Sequence, residues 1–207
     1  MKALIIANGE IPSQKFIRRL IKGVNVVICA DGGANTARKL KILPDLIIGD
    51  FDSIAKSSIK YFKGIQQIVI NDQDSTDLEK AIKYCIENNI SDIDIVGASG
   101  KRTDHTVGNL GCFKKFKKLA NLRMIDENGI LFGIDKFVRL KTSIGEIISL
   151  IPLNRCVGVK TKNLKYKLNG ETLEIGVREG THNIATGKFV EVSLKKGDLL
   201  IYRLLRD

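Results

Sequence analysis

The sequence is poor in the residues that most often form metal and redox sites. It contains two histidines, four cysteines and no tryptophan among 207 residues. The cysteines are far apart and include no CxxC pair, which argues against a structural zinc site. We expect all four to be reduced thiols, most of them buried: Cys29, Cys85, Cys112 and Cys156.

Long apolar runs are also lacking. Near the N-terminus only residues 3–7 (ALIIA) are continuously apolar, fewer than the roughly 7–15 residues of a signal-peptide core. No stretch approaches the ~20 apolar residues that span a membrane. We therefore expect a cytoplasmic protein that has no membrane partner.

Aromatic residues are scarce, at 6% of the chain. A formal net charge of +11 favours anionic partners such as nucleic acids or phosphorylated ligands. Apart from one cluster at 114–118 the basic residues are scattered, and few aromatic side chains could stack on bases. We expect phosphorylated ligands and no nucleic acid.

The composition itself is ordinary for a globular protein, with 43% hydrophobic and 28% charged residues. In the first 125 or so residues, short apolar runs alternate with helical patterns, which predicts a parallel sheet covered on both faces. The apolar runs are 3–7, 25–30, 45–49, 66–70, 92–96 and 122–126. The helical patterns lie near 13–22, 34–41, 55–63, 76–88 and 105–119. In the helix at 76–88, Thr76 and Glu79 form a capping-box pattern.

The second part of the chain has a different rhythm. Strand-like segments begin near residues 136, 146, 157, 171, 188 and 198. Turn signals such as Asn169-Gly170 and Lys196-Gly197-Asp198 separate them. This pattern predicts a small antiparallel sandwich or barrel. With Asn128-Gly129 as the boundary, we predict an α/β domain at 1–128 and a β-domain at 129–207.

Ligands of an open parallel sheet bind beyond the carboxyl ends of its strands, so the residues that follow each apolar run are the candidates. No GxGxxG or GxxxxGK[ST] motif is present, which excludes the dinucleotide fingerprint and the Walker A loop. After residues 25–30 come Asp31, Gly32 and Gly33. They indicate either a phosphate site at a helix N-terminus or simply a tight strand-to-helix turn.

After residues 45–49 come Asp50 and Asp52, separated by Phe51. If the backbone stays extended through Phe51, alternation sends both carboxylates to one side and Phe51 inward. Two carboxylates held so close repel each other unless a cation lies between them or one is protonated. Mg²⁺ prefers such oxygen ligands, although a solvated turn with incidental acids is the alternative.

The next two strand ends are also rich in charged side chains. After residues 66–70 come Asp72, Asp74 and Asp77, which indicate either helix capping or a metal site. After residues 92–96 come Lys101 and Arg102 in a glycine-containing loop, which could hold phosphate. Four such loops on one edge favour a Mg²⁺-nucleotide site for phosphoryl or pyrophosphoryl transfer. The neighbouring His105 is expected to be structural or to orient the site.

The motifs ADGGAN (30–35), GDFDS (49–53), DQDSTD (72–77) and GxxGxRxDH (97–105), followed by Asn109, resemble the motif set of the thiamine pyrophosphokinase family in order and spacing. NLKYKL (163–168) and the segment 180–183 match its thiamine-binding part more weakly. The resemblance implies an α/β domain of Rossmann-like type that binds no dinucleotide, followed by an antiparallel β-sandwich, usually as a homodimer. It also implies transfer of a pyrophosphoryl group from ATP to thiamine, with Mg²⁺ or alternatively Mn²⁺.

The same resemblance assigns roles to individual residues. The implied catalytic residues are Asp50, Asp52, Asp77, Arg102 and Asp104. The implied metal ligands are Asp31, Asp50, Asp52 and Asp77. ATP and substrate contacts are implied for Asp31, Gly32, Gly33, Asn35, Gln73, Thr76, Lys101, His105 and Asn109. Thiamine contacts are implied for Tyr166, Thr181, His182 and Asn183.

Two positions depart from the family pattern. Lys101 stands where glycine is common, and His182 stands where serine is usual. Either Asp77 or Asp104 could accept the proton of the acceptor alcohol. Two other functions fit the residues: a pyrophosphokinase for a pterin-like heterocycle, and a non-catalytic basic protein that binds phosphate or nucleic acid.

Overall fold

The computed structural model describes residues 1–205, and the chain divides into two compact units. Unit 1 consists of Met1–Cys112 and Lys118–Glu127. Unit 2 consists of Phe113–Lys117 and the chain from Asn128 onwards. Residues 113–117, at the C-terminal end of the last helix of the α/β part, therefore group with unit 2.

Unit 1 contains six strands in the order β6-β5-β1-β2-β3-β4, all of them parallel. The strands are β1 (Lys2–Ile6), β2 (Val26–Ala30), β3 (Leu46–Gly49), β4 (Gln66–Val69), β5 (Asp92–Val96) and β6 (Asn121–Ile125). Four consecutive residues are buried in each of β1, β2, β3 and β5. Because consecutive side chains point to opposite faces, both faces of the sheet are covered.

Five helices connect the strands: α1 (Gln14–Ile21), α2 (Gly33–Lys39), α3 (Lys56–Tyr61), α4 (Asp77–Glu87) and α5 (Thr103–Phe116). The predicted cap of α4 is present, because the Thr76 hydroxyl accepts a hydrogen bond from the Glu79 N–H at 3.2 Å. The apolar face of α4 packs against β1, β2 and β3. The predicted α/β architecture is confirmed.

β4 differs from the expected buried strand. Its burial pattern is exposed at both ends and intermediate between them, and Val69 is exposed. The reason is its place at the edge of the sheet, which local sequence does not specify.

The strand order places a topological switch point between β1 and β5. From β1 the chain proceeds through β2, β3 and β4 on one side, and then returns to β5 on the other. Loops that leave β1 and β5 therefore diverge at the carboxyl edge, where a crevice forms. That crevice is where the site is expected.

Unit 2 is an antiparallel sandwich, as expected. Strands β12, β9, β14 and β7 are neighbours in that order, and strands β11, β10, β13 and β8 form the second layer. The core between them includes Ile148, Leu150 and Ile201 from the first layer and Val159 and Val192 from the second. The strands are β7 (Gly129–Ile134), β8 (Phe137–Lys141), β9 (Ile147–Pro152), β10 (Cys156–Lys162), β11 (Asn169–Leu173), β12 (Gly180–Ile184), β13 (Phe189–Ser193) and β14 (Leu199–Leu204).

Three details of unit 2 differ from the predictions. β7 was not predicted because it begins within the turn signal Asn128-Gly129. β12 was not predicted because its sequence, GTHNI, has little apolar alternation. Asn169-Gly170 begins β11 and is not a turn between strands. The signal misleads because Gly170, at φ 121°, lies in an irregular part of the β10–β11 pairing.

All four cysteines are buried free thiols, as predicted. Among residues 1–205, no helix has the length and apolar character needed to cross a membrane.

Candidate active site

A pocket of about 280 Å³ lies at the carboxyl edge of the sheet in unit 1. Residues 7–9, which follow β1, and residues 97–102, which follow β5, form much of its wall. The two loops are joined by a hydrogen bond from the Gly9 N–H to the Gly97 carbonyl at 2.7 Å. The pocket thus occupies the switch point that the strand order creates.

The acidic residues of three loops converge beside this pocket. One carboxylate oxygen each of Asp31, Asp50 and Asp77 lies within 4.8 Å of the others. Asp31 follows β2, Asp50 follows β3, and Asp77 is the first residue of α4. Asp77 also lines the pocket, so the acidic cluster and the pocket share a wall.

Gly49 makes this convergence sterically feasible. A Cβ at this position would lie 2.7 Å from the Cβ of Asp31 and 3.2 Å from Oδ1 of Asp77. The end of β3 therefore passes too close to Asp31 for a side chain to fit, and Asp77 leaves little room beside it.

Asp31 is the most buried member of the cluster, with 2% of its surface exposed. Its Oδ2 accepts a hydrogen bond from the Ser53 N–H at 3.2 Å. Among residues 1–205, its Oδ1 is buried without a hydrogen-bond partner. Burial raises the pKa of Asp31 above its ordinary value, and the charge of Asp77 raises it further.

The backbone around Phe51 corrects one expectation. Phe51 has φ 68°, so the chain does not stay extended between Asp50 and Asp52. Asp52 is exposed, and its Oδ1 accepts a hydrogen bond from the Ser53 hydroxyl at 2.7 Å. Phe51 is only half-buried, and Ile54 anchors the loop in the core. The metal-ligand role of Asp52 stays a prediction.

Lys80 is a member of the cluster that the sequence analysis missed. Its Nζ lies 3.0 Å from Oδ1 of Asp77 and 3.5 Å from Oδ2 of Asp50, and only 2% of the side chain is exposed. Burial alone would lower the pKa of Lys80, but the hydrogen bond and charge of Asp77 outweigh it and raise the pKa. Among 34 lysines and arginines nothing in the local sequence distinguishes Lys80.

Asp50 shows the opposite balance to Asp31. Burial by itself would raise the pKa of Asp50, but the hydrogen bond from the Asp52 N–H and the Lys80 ammonium together lower it. The surroundings therefore stabilise the anionic form of Asp50, whereas they disfavour the anionic form of Asp31.

The loop after β5 carries two basic side chains that line the pocket, Lys101 and Arg102. Arg102 donates two hydrogen bonds to Asp104, at 3.1 and 2.5 Å, and both side chains are exposed. These bonds lower the pKa of Asp104 to about 2. Lys101 has φ 44°, the left-handed region that favours glycine, which agrees with the expectation from the resemblance that glycine is common at this position. Its ammonium donates to the Asn8 carbonyl at 2.9 Å.

The other predicted ligand residues of unit 1 fall into two groups. Thr76, Lys101, Arg102, His105 and Asn109 line the pocket. The rest lie outside the pocket lining: Gly32, Gly33, Asn35 and Gln73.

Hydrogen bonds and close packing give three of these predicted residues a structural role. The amide of Asn35 donates to the Ser53 carbonyl at 2.8 Å and accepts from the Ala55 N–H at 3.0 Å, so it fixes the loop after β3. Gly33 packs against the Ile6 carbonyl too closely for a Cβ. The Asn109 amide holds the Ala98 carbonyl at 2.8 Å.

Asn8 and Gly9 also line the pocket and were not predicted. The sequence does carry a signal for them, because Asn8-Gly9 directly follows the first apolar run at the same edge of the sheet as the other loops.

The predicted thiamine-binding residues lie in unit 2. Tyr166 is 60% exposed, and Thr181 and His182 of β12 are exposed as well. Asn183 is buried, and its amide accepts from the Tyr166 N–H at 3.0 Å and donates to the Tyr166 carbonyl at 2.7 Å. The two hydrogen bonds of Asn183 therefore fix the position of the main chain at Tyr166, whose ring is exposed.

His182 sits at an irregularity of β12. It has φ 55°, and its N–H donates to the Ser149 hydroxyl at 2.9 Å, where the pairing of β12 with β9 shifts register. A left-handed residue within a strand turns its side chain out of the regular alternation.

The chain is therefore an α/β protein of two units. The first unit carries its candidate ligand site, a pocket and an acidic cluster, at the carboxyl ends of parallel strands. The second unit is an antiparallel sandwich. The family follows from comparison with known sequences. The thiamin pyrophosphokinase catalytic domain matches residues 17–125, and the vitamin B1 binding domain of thiamin pyrophosphokinase matches residues 137–199. The chain belongs to the thiamin pyrophosphokinase family.

Individual relatives agree with this assignment. The chain is 27% identical over 234 residues to thiamine pyrophosphokinase 3 of Oryza sativa subsp. japonica, covering 98% of this chain and 86% of the relative. It is 29% identical over 183 residues to the thiamine pyrophosphokinase of Bacillus subtilis (strain 168), covering 85% of this chain and 86% of the relative.

Solved structures share the fold. The thiamin pyrophosphokinase from Candida albicans superimposes with a TM-score of 0.87 at 21% identity, covering 99% of this chain and 89% of that chain. The thiamine pyrophosphokinase from Bacillus subtilis gives a TM-score of 0.85 at 23% identity, covering 100% of both chains.

Proposed function

We propose that this protein is a thiamine pyrophosphokinase, which transfers the pyrophosphoryl group of ATP to the hydroxyl of thiamine and releases AMP. The observation that carries the proposal is the match of both family domains in the expected order. The acidic cluster beside the switch-point pocket supports the proposal, because such a cluster could hold a divalent ion next to bound ATP.

The residues of the cluster fit a divalent metal ion. Asp31, Asp50 and Asp77 offer only oxygen ligands, which suit Mg²⁺, with Mn²⁺ as the alternative. The buried and unpartnered Oδ1 of Asp31 is the strongest sign, because such an atom is costly unless a cation or donor meets it. When bound, the metal would neutralise the charge of the ATP phosphates.

In the proposed reaction the thiamine hydroxyl oxygen forms a bond to the β-phosphorus of ATP. The bond from that phosphorus to the oxygen shared with the α-phosphorus breaks, and its electron pair leaves with AMP. Lys101 and Arg102 line the pocket, and we propose that both bind phosphate oxygens of ATP. Most of the rate would come from positioning and charge neutralisation.

The proton of the hydroxyl needs an acceptor. Asp104 is the poorer candidate, because it does not line the pocket and because Arg102 lowers its pKa to about 2, which makes it a weak base. Asp77 lies in the wall shared by the pocket and the acidic cluster, so we propose Asp77 as the acceptor.

A product assay tests the function. With ATP, Mg²⁺ and thiamine, we expect AMP and thiamine diphosphate in equal amounts. ADP in place of AMP would indicate an ordinary kinase. Turnover with a hydroxymethylpterin but not with thiamine would indicate the pterin pyrophosphokinase. No turnover together with salt-sensitive RNA binding would indicate the non-catalytic basic protein.

Replacing Asn183 with Ala should raise the KM for thiamine about tenfold or more while the KM for ATP changes less than twofold. The change removes both hydrogen bonds that hold the main chain of Tyr166, and each lost bond costs roughly 1 kcal/mol. Steady-state kinetics with each substrate varied in turn measures the effect.

Thr186→Ala serves as the matched control, because it truncates an exposed side chain just beyond the same strand, at a residue with no proposed role in thiamine binding. An equal rise in both KM values for Asn183→Ala would show general destabilisation and contradict the role in orienting Tyr166.

The remaining sequence expectations belong to the same proposal. Residues 1–128 would hold the nucleotide and metal, and residues 129–207 would contribute to thiamine binding and to a homodimer. Thr181 and His182 would contact thiamine beside Tyr166, and the cytoplasm would be the site of action.

A further inference from the structure

Lys80 is an unusual neighbour for a cation site, because it is itself a buried cation. Its position is set by α4, in which Asp77 is the first residue and Lys80 follows one turn later on the same face. A lysine near an apolar helix face would normally extend its ammonium to solvent. Here the ammonium turns inward to Asp77 and Asp50.

The formal charges of the three aspartates and Lys80 show how the Lys80 ammonium changes the total charge of the acidic cluster. When all three are ionised, as metal ligands must be, the carboxylates of Asp31, Asp50 and Asp77 carry −3 together, and Lys80 reduces the total to −2. One divalent cation then brings the group to neutrality. A second would leave an excess of positive charge beside the buried side chains of Asp31 and Lys80, which is costly.

We propose that Lys80 is a positioning residue that acts as the built-in cation of the acidic cluster. It holds Asp50 and Asp77 close together before a divalent ion binds, and it limits the cluster to one such ion of moderate affinity. This inference rests on the proposed metal site, and it assigns to Lys80 a role in metal stoichiometry and affinity rather than in chemistry.

Binding of Mn²⁺ alone, without nucleotide, tests the proposal by electron paramagnetic resonance of the free ion. The wild-type chain should bind one Mn²⁺. Lys80→Gln, which keeps a polar side chain but removes the charge, should bind Mn²⁺ at least about tenfold more tightly. Two charges ~4 Å apart near a protein surface change an equilibrium constant by roughly a thousandfold, and the partial exposure of Asp50 and Asp77 reduces this.

Thermal unfolding supplies a second readout. Without metal, Lys80→Gln should unfold at a lower temperature than the wild type, because Asp50 and Asp77 then repel each other without compensation. Saturating Mn²⁺ should raise its unfolding temperature by more than it raises that of the wild type.

Lys83→Met is the matched control, since it removes one positive charge from α4 at a residue that is not among the contacts of the cluster. It should leave Mn²⁺ affinity within about twofold, because charges outside direct contact are screened. Lys80→Arg keeps the charge and should also retain binding of one ion.

The outcomes separate this inference from the proposed function. If the wild type binds Mn²⁺ and Asp77→Asn abolishes binding, the metal site stands. Unchanged Mn²⁺ affinity in Lys80→Gln would then overturn the role of Lys80 alone. Two tightly bound ions per wild-type chain would also overturn it, and this measurement needs no variant to fold. If the wild type binds no Mn²⁺, the metal site and the role of Lys80 both fail.

Discussion

Replacing Asp77 with Asn is expected to lower turnover at least ~100-fold while the fold stays intact. Asp77 contributes to the acidic cluster and the pocket wall, and it is the proposed proton acceptor. Loss of one charged ligand that stabilises developing charge costs several kcal/mol, and each 1.36 kcal/mol is a factor of about ten in rate. Turnover, Mn²⁺ binding and far-UV circular dichroism measured together check this expectation.

Two neighbouring carboxylates provide controls for Asp77→Asn. Asp74 is exposed on the loop that precedes α4, so Asp74→Asn should change turnover less than threefold. Asp52→Asn is the more informative comparison, because Asp52 is exposed and lies outside the cluster of three acids. We expect a smaller loss than for Asp77→Asn. Equal losses in both variants would mean that Asp52 moves into the site when ligands bind, and wild-type turnover in Asp77→Asn would refute the site.

Replacing Asp94 with Asn is expected to destabilise the protein by about 3 kcal/mol or more, the range for breaking one side of a buried ion pair. Asp94 lies on β5 with 2% of its surface exposed. It accepts from Lys2 Nζ at 2.7 Å and from Arg123 Nε at 2.6 Å, and these partners lie on the adjacent strands β1 and β6. The variant leaves the half-buried Arg123 without its main counter-charge.

Urea denaturation with an unchanged m-value measures this loss directly. In a thermal scan, a loss of this size corresponds to roughly 6–12 °C for a chain of this length. Asp92→Asn is the control, because Asp92 also pairs with Arg123, at 2.8 Å, but is 41% exposed. Its effect should stay below about 1 kcal/mol. A loss for Asp94→Asn no larger than for Asp92→Asn would contradict a buried network that joins the three strands.

The α/β unit was predictable because its signals are local. Uninterrupted apolar runs such as 25–30 bury residues on both faces of a strand, and Thr76 caps α4 as its sequence pattern indicates. The strands of unit 2 were harder to predict, because β12 contains almost no apolar alternation and is held by its pairing with β9. Pairing partners distant in sequence leave no local signal.

The sequence by itself determined the fold class, the family motifs and the acidic residues at the strand ends. Only the tertiary structure decided which of those acids converge. The backbone at Phe51 is not extended, so Asp50 and Asp52 do not point the same way, and the missing side chain of Gly49 leaves room for Asp31 and Asp77 to lie close to β3. The tertiary structure also decided that Lys80, one lysine among many, lies between Asp50 and Asp77. The physical reason is that a carboxylate or ammonium acquires its role from its neighbours in space and its burial, and the strand order and helix packing set both.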